Sequence, residues 1–208
     1  MVAYDRRSFG KSGKPWDGYD YDTLADDLKA VLDGLDLHDV TLVGFSMGGG
    51  EVARYMGRHD GARVGKVVFI SAVTPCLLKT DDNPDGVDKS TFDQMIEGLG
   101  KDRPGFLADF NKTFFGVGAL SHPVSQPTLD WSTSIALQGT PRATSECVKA
   151  FSATDFRQDL QGIRVPTLFI HGDADKTVPL DNSAKRAVKL VPGAELKIYE
   201  GDVGSPTK

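Results

Sequence analysis

Short apolar runs that stop at a turn and hand over to an amphipathic helix constrain this chain more than any other feature. Val40-Thr41-Leu42-Val43 ends at Gly44, and a helix starts near Met47 with Val52, Ala53 and Met56 inward. Val67-Val68-Phe69-Ile70 and Thr167-Leu168-Phe169-Ile170 are further runs of buried-strand type, and Leu196, Ile198 and Tyr199 mark a last one. Helical spacing joins Leu24, Leu28, Val31, Leu32 and Leu35 behind an N-cap at Asp22, and Ala184, Ala187, Val188 and Leu190 in a later helix. Met1 to Tyr4 read as the tail of a strand, which brings the visible total to about five. Continuous apolar strands alternating with amphipathic helices predict an α/β fold with a mostly parallel sheet covered on both faces.

Between Leu77 and Asp155 the pattern changes. Turn residues such as Asp81 to Gly86, Pro104, Pro123 and Pro141 punctuate amphipathic stretches, and no strand of core type occurs. The chain therefore divides into a first core segment (1–76), a helical cap insertion (77–155) and a second core segment (156–208). Six phenylalanines of the insertion (Phe92, Phe106, Phe110, Phe114, Phe115, Phe151) and Trp131 are expected to form its own core, with some facing the cleft.

Charge and cysteine usage exclude several classes of function. A formal net charge of −5 argues against nucleic acid or a membrane surface as partner, since both select a basic face. No apolar run is long enough to span a bilayer, and no signal-peptide pattern opens the chain. The two cysteines, Cys76 and Cys147, are too few for a disulfide framework and read as buried thiols of a reducing compartment, with the cytoplasm as default. Asp81, Asn83, Asp85 and Gly86 imitate half a calcium loop, but Phe92 stands where the bidentate glutamate belongs. Gly10-Lys11-Ser12 lacks the upstream glycine of a phosphate loop, because Asp5 occupies that place.

Gly44-Phe45-Ser46-Met47-Gly48 sits between strand and helix, the context in which a sharp turn lifts a serine hydroxyl above a sheet. Ser46 is the candidate nucleophile. Met47, opening the helix, offers its backbone N–H to a developing oxyanion. The small residues Gly44 and Gly48 are expected where backbone segments crowd in the turn. A nucleophilic serine needs a base, and the base needs an orienting carboxylate; where the serine sits on a strand–turn–helix of this kind, the chain order is serine, acid, histidine. His171-Gly172-Asp173-Ala174-Asp175 follows a buried strand, so Asp175 is the candidate acid and Asp173 the residue that caps the turn. No histidine follows Asp175. Of the four present, His38 and His59 lie at junctions away from the turn, His122 lies in the insertion, and His171 suits a structural hydrogen bond. Loss of the base costs on the order of a million-fold in kcat, so this polypeptide is expected to be inactive.

These motifs carry a resemblance. With Tyr4-Asp5-Arg6-Arg7-Ser8-Phe9-Gly10-Lys11-Ser12, Ala72-Val73-Thr74-Pro75, Thr154-Asp155-Phe156-Arg157 and the loop from His171 to Pro179, the chain resembles bacterial aryl esterases and cofactor-free chloroperoxidases (perhydrolases) of the α/β-hydrolase superfamily. The resemblance implies Ser46 as nucleophile, Asp175 as triad acid, a Met47 oxyanion N–H, and Val73, Leu77 and Leu180 along the acyl pocket. It implies hydrolysis or perhydrolysis of carboxylic esters with no metal or haem, a small ester or carboxylic acid as partner, and compatibility with a homo-oligomer. It further implies strands and a His-Gly loop before Met1, and a histidine loop and helix where Gly201 runs into Asp202-Val203-Gly204-Ser205. A chain truncated at both ends, or frame-changed near Gly201, is the expectation. Ser8 stands where the family has glycine. The alternative is a non-catalytic fragment or a ligand-binding pseudo-hydrolase.

Overall fold

The computed structural model describes residues 1–204. In chain order its main elements are α1 (Tyr21–Gly34), β1 (Val40–Phe45), α2 (Met47–Arg58), β2 (Val64–Ile70), α3 (Lys89–Lys101), α4 (Arg103–Phe114), α5 (Gln126–Ala136), α6 (Pro141–Ala153), α7 (Arg157–Gln161), β3 (Thr167–Gly172), α8 (Ala184–Ala187) and β4 (Glu195–Tyr199). The four strands form one sheet in the order β1-β2-β3-β4, and every neighbouring pair is parallel. The α/β expectation is borne out. Helices α3 to α6 all fall between β2 and β3. No helix among the described residues is long and apolar enough to cross a membrane.

The main core lies where α1 and α2 pack together and α2 packs on the sheet. Leu24, Leu28 and Leu32 of α1 and Val52, Ala53 and Met56 of α2 are buried, as the spacing predicts. Phe69 and Phe169 stack between adjacent strands with centroids 4.7 Å apart. Tyr21 meets Phe156 edge-on at 4.7 Å, joining α1 to the loop before α7. Rings of this size bury large areas, so the first pair fills one face of the sheet and the second fixes α1 against the loop before α7.

Several local expectations are corrected. Met1 to Tyr4 form no strand, and among the described residues four strands are present instead of five. A strand needs a partner for its backbone groups, and β1 pairs only with β2, leaving Val43 59% exposed on the outer strand. The N-cap of α1 is Asp20, whose Oδ1 accepts from the Thr23 N–H at 2.9 Å. Asp22 instead sits in the first turn and pairs with Arg54 and Arg58. Leu35 is exposed at the C-cap. The late helix breaks, with α8 passing into a 3-10 turn over Val188–Leu190. Trp131 is exposed, whereas Phe92 and Phe115 are buried. In the Asp81–Gly86 turn, Asn83 is fully buried and its Nδ2 donates to the Cys76 and Leu78 carbonyls at 3.2 and 2.6 Å. That amide staples the turn from beneath, while Asp81, Asp82, Pro84 and Asp85 stay exposed.

Ser8 shows why the early loop tolerates a departure from glycine. Its φ is 65°, in the left-handed region, and it is fully buried. Its hydroxyl lies 2.6 Å from the Tyr19 hydroxyl, and its carbonyl accepts from Thr140 at 3.1 Å, tying the loop to the start of α6. The strain of a side chain at positive φ is about 1 kcal/mol, similar to one net hydrogen bond. Ser8→Ala keeps the strain and loses the bond, and should cost about 1 kcal/mol by urea unfolding; Ser8→Gly loses both and should be about neutral.

Candidate active site

β1 and β2 end in register, Phe45 opposite Ile70, and Ile70 opposite Ile170 of β3. Each next residue therefore lies along the carboxyl edge of the sheet: Ser46, Ser71 and His171. Backbone bonds continue the ladder one step further, with Ser46 N–H donating to Ile70 O and Ser71 N–H to Ile170 O, both at 2.9 Å. Here the chain turns sharply. Ser46 has φ 50° and ψ −119°, a conformation that L residues rarely hold, and Ser71 has φ 42°. The Ser46 carbonyl accepts from Gly49 at 3.0 Å and from Val73 at 3.2 Å, fixing both sides of the turn.

Glycine is needed on one side of this turn more than on the other. A Cβ on Gly44 would lie 2.6 Å from the Gly48 carbonyl oxygen and 2.7 Å from the Gly49 Cα. One on Gly49 would overlap the Ala72 Cβ, because α2 is pressed against the end of β2. Gly48 differs from the expectation. Its Cβ would meet only the Arg6 guanidinium, at an ordinary 3.7 Å. The crowding is directed at Gly44, since its side-chain direction points into α2 while that of Gly48 points to an open side. Gly44→Ala should therefore cost more than about 3 kcal/mol or prevent folding. Gly48→Ala should fold and gain up to about 1 kcal/mol of helix stability, read by thermal and urea unfolding.

The acid loop after β3 is built around Asp175, which is 7% exposed. Its Oδ1 accepts from the backbone N–H groups of Thr177 and Val178, each at 2.9 Å. Its Oδ2 lies 3.5 Å from His171 Nε2. His171 is buried, and its Nε2–H donates to the Val178 carbonyl at 2.8 Å, so the imidazole clamps the loop from inside. Its Nδ1 has no partner among the described residues. Asp173 accepts from the Gly201 N–H at 2.7 Å, tying the loop to the segment beyond β4 instead of capping its own turn.

Ser46 and Asp175 open into the same narrow pocket, together with Ser71, Phe45, Phe114 and Val203. Phe45 and Phe114 meet edge-on there at 6.1 Å. Met47 opens α2, with its carbonyl accepting from the Tyr21 hydroxyl at 3.2 Å. Val73, Leu77 and Leu180 are buried in the main core and do not line this opening. No histidine lines the pocket among the described residues: His38 and His59 pair with Asp36 and Asp26, and His122 is exposed in the loop before α5. Among the described residues no cluster of histidine, cysteine, aspartate or glutamate could hold a metal ion.

The strained serine between strand and helix, the parallel sheet and the acid loop after a later strand agree with a match of the alpha/beta hydrolase fold family over residues 1–202. The chain belongs to that family. By family it is an enzyme, and its relatives are hydrolases and haloperoxidases. It is 45% identical to a non-heme chloroperoxidase of Kitasatospora aureofaciens over 96% of this chain and 73% of that protein. It is 41% identical to a bifunctional esterase/perhydrolase of Acinetobacter calcoaceticus, over 100% of this chain and 76% of the other. Among solved structures, a bromoperoxidase from Bacillus anthracis superposes with a TM-score of 0.93 at 46% identity, covering 97% of this chain and 74% of that one. The α/β-hydrolase resemblance read from the motifs is thereby established.

Sequence reasoning missed two features beside the site. Ser71 carried no motif, although its place directly after an apolar strand in register with β1 was a usable signal. Glu51 of α2 is 5% exposed and is held by Arg6, at 2.9 Å from Nε and 2.7 Å from the terminal nitrogen, and by the Tyr4 hydroxyl. Burial, reinforced by the neighbouring Glu51 carboxylate, pushes Tyr4 ionisation well above its ordinary range. A buried carboxylate with two partners holds its helix one turn beyond Met47.

Proposed function

We propose that this hydrolase-family chain carries out acyl transfer from small carboxylic esters through Ser46. The carrying observation is that Ser46, held at a left-handed turn, opens into the same pocket as the Asp175 carboxylate. In this reading the Ser46 Oγ attacks the ester carbonyl, its proton passes to an imidazole-type base that Asp175 would orient and that the described residues of the pocket do not supply, and the Met47 N–H receives the oxyanion. The tetrahedral intermediate expels the alcohol, which takes the proton back from the base. Water then cleaves the acyl-serine to the acid, or hydrogen peroxide cleaves it to the peracid. The chloroperoxidase and esterase/perhydrolase names of the relatives support both acceptors. None of these steps calls for a metal or haem.

No histidine lines the pocket among the described residues, which favours a second reading, a protein that keeps the cleft without turnover. A fluorophosphonate probe separates the two, because it reports on the serine alone. Under acyl transfer, Ser46 is labelled, added imidazole accelerates labelling by at least about tenfold by standing in for the base, and Ser46→Ala abolishes it. Peptide mass spectrometry locates the label. Wild-type protein that stays unlabelled with imidazole present supports the non-catalytic reading.

A further inference from the structure

The segment after β4 is stitched across the candidate site. Asp173 N–H donates to the Tyr199 carbonyl at 3.1 Å, Gly201 N–H to Asp173 Oδ1 at 2.7 Å, and Ala174 N–H to the Asp202 carbonyl at 3.0 Å. The approach is close enough that a Cβ on Gly172 would overlap the Asp202 carbonyl. Asp202 Oδ1 then accepts from Gly204 N–H at 3.0 Å, turning the chain so that half-buried Val203 faces the cap. A Cβ on Gly116, just after α4, would come within 2.9 Å of Val203 Cγ1, so the valine methyls sit in the notch that this glycine leaves. Gly204 lies over the acid: a Cβ there would overlap Asp175 Oδ2 and stand 2.9 Å from Ser71 Oγ. Tail, cap and core thus converge on the pocket. What remains there is no more than about 200 Å³, open space included, below the roughly 300 to 1,000 Å³ of small-molecule sites.

We propose that Val203 is a stopper: seated in the Gly116 notch, it obstructs the pocket of the partly exposed Ser46, and a reactant gains ready access to position 46 when the segment Asp202–Gly204 lifts. The segment is held by a few bonds at the surface, so its release is a local opening separate from unfolding of the sheet. The proposal concerns the same site as the acyl-transfer reading but does not rest on the reactivity of the serine. It makes Val203 an access-determining residue outside the nucleophile and acid.

The test uses Ser46→Cys in the full chain, because a thiol reacts with iodoacetamide without any triad. Alkylation at position 46 is timed by peptide mass spectrometry with Val203 intact and with Val203→Gly. Loss of the half-buried isopropyl group should shift the opening equilibrium and speed alkylation about tenfold. Cys76 and Cys147 are built-in controls: both are buried, and burial pushes the Cys147 thiol up to about 11, so each stays unmodified while the core is folded. Equal rates with and without Val203 overturn the proposal. A rate at position 46 that already matches free cysteine with Val203 intact also overturns it. If Val203→Gly exposes Cys147, Val203→Ala takes its place, with a smaller acceleration expected and equal rates again decisive. Failure here leaves fluorophosphonate labelling of wild type untouched, so the two readings fail separately.

Discussion

The close approach of Gly44 to the backbone at Gly48 and Gly49 is the contact on which the rest of the structure depends. It lets α2 start within two residues of the end of β1, and that forces Ser46 into a conformation costing on the order of 1 to 3 kcal/mol. The strain persists because it is over-determined. Ile70, Gly49 and Val73 each hold the Ser46 backbone, and the missing side chain of Gly49 lets α2 close onto Ala72. Relaxing the serine would break several of these at once.

From that turn the parallel register distributes the remaining polar groups. Ser71 and His171 follow Ser46 along one sheet edge because Phe45, Ile70 and Ile170 stand side by side in the register of β1, β2 and β3. His171 then clamps Val178, and Val178 and Thr177 together occupy one oxygen of Asp175. The carboxylate is anchored on one side and presents its other oxygen toward the pocket, as an acid that orients a base requires. Rigid strands set these positions. Phe114 of α4 and Val203 of the segment after β4 meet beside them.

The elements that were legible in the sequence are those whose signal is local. Apolar runs at Val40–Val43, Val67–Ile70 and Thr167–Ile170 became strands because each is bounded by turn residues and followed by helical periodicity. The glycine-flanked serine was legible because a turn this tight leaves few residue choices. What was not legible depends on neighbours. Met1–Tyr4 has strand composition yet forms no strand, although β1 keeps an open outer edge, and Asp20 takes the N-cap while Asp22 pairs with arginines of α2. The need for glycine at position 44 and not at 48 depends on which way α2 leans. The meeting of Val203 with Gly116 joins residues far apart in sequence and left no trace in either.

The most direct measurement of this account is a crystal structure of the chain, read at one turn and one loop. The account predicts Ser46 at positive φ directly after β1, with its hydroxyl and the Asp175 carboxylate facing a common cavity. A serine in an ordinary extended or helical conformation, or the two side chains opening on different rims of the molecule, would contradict it.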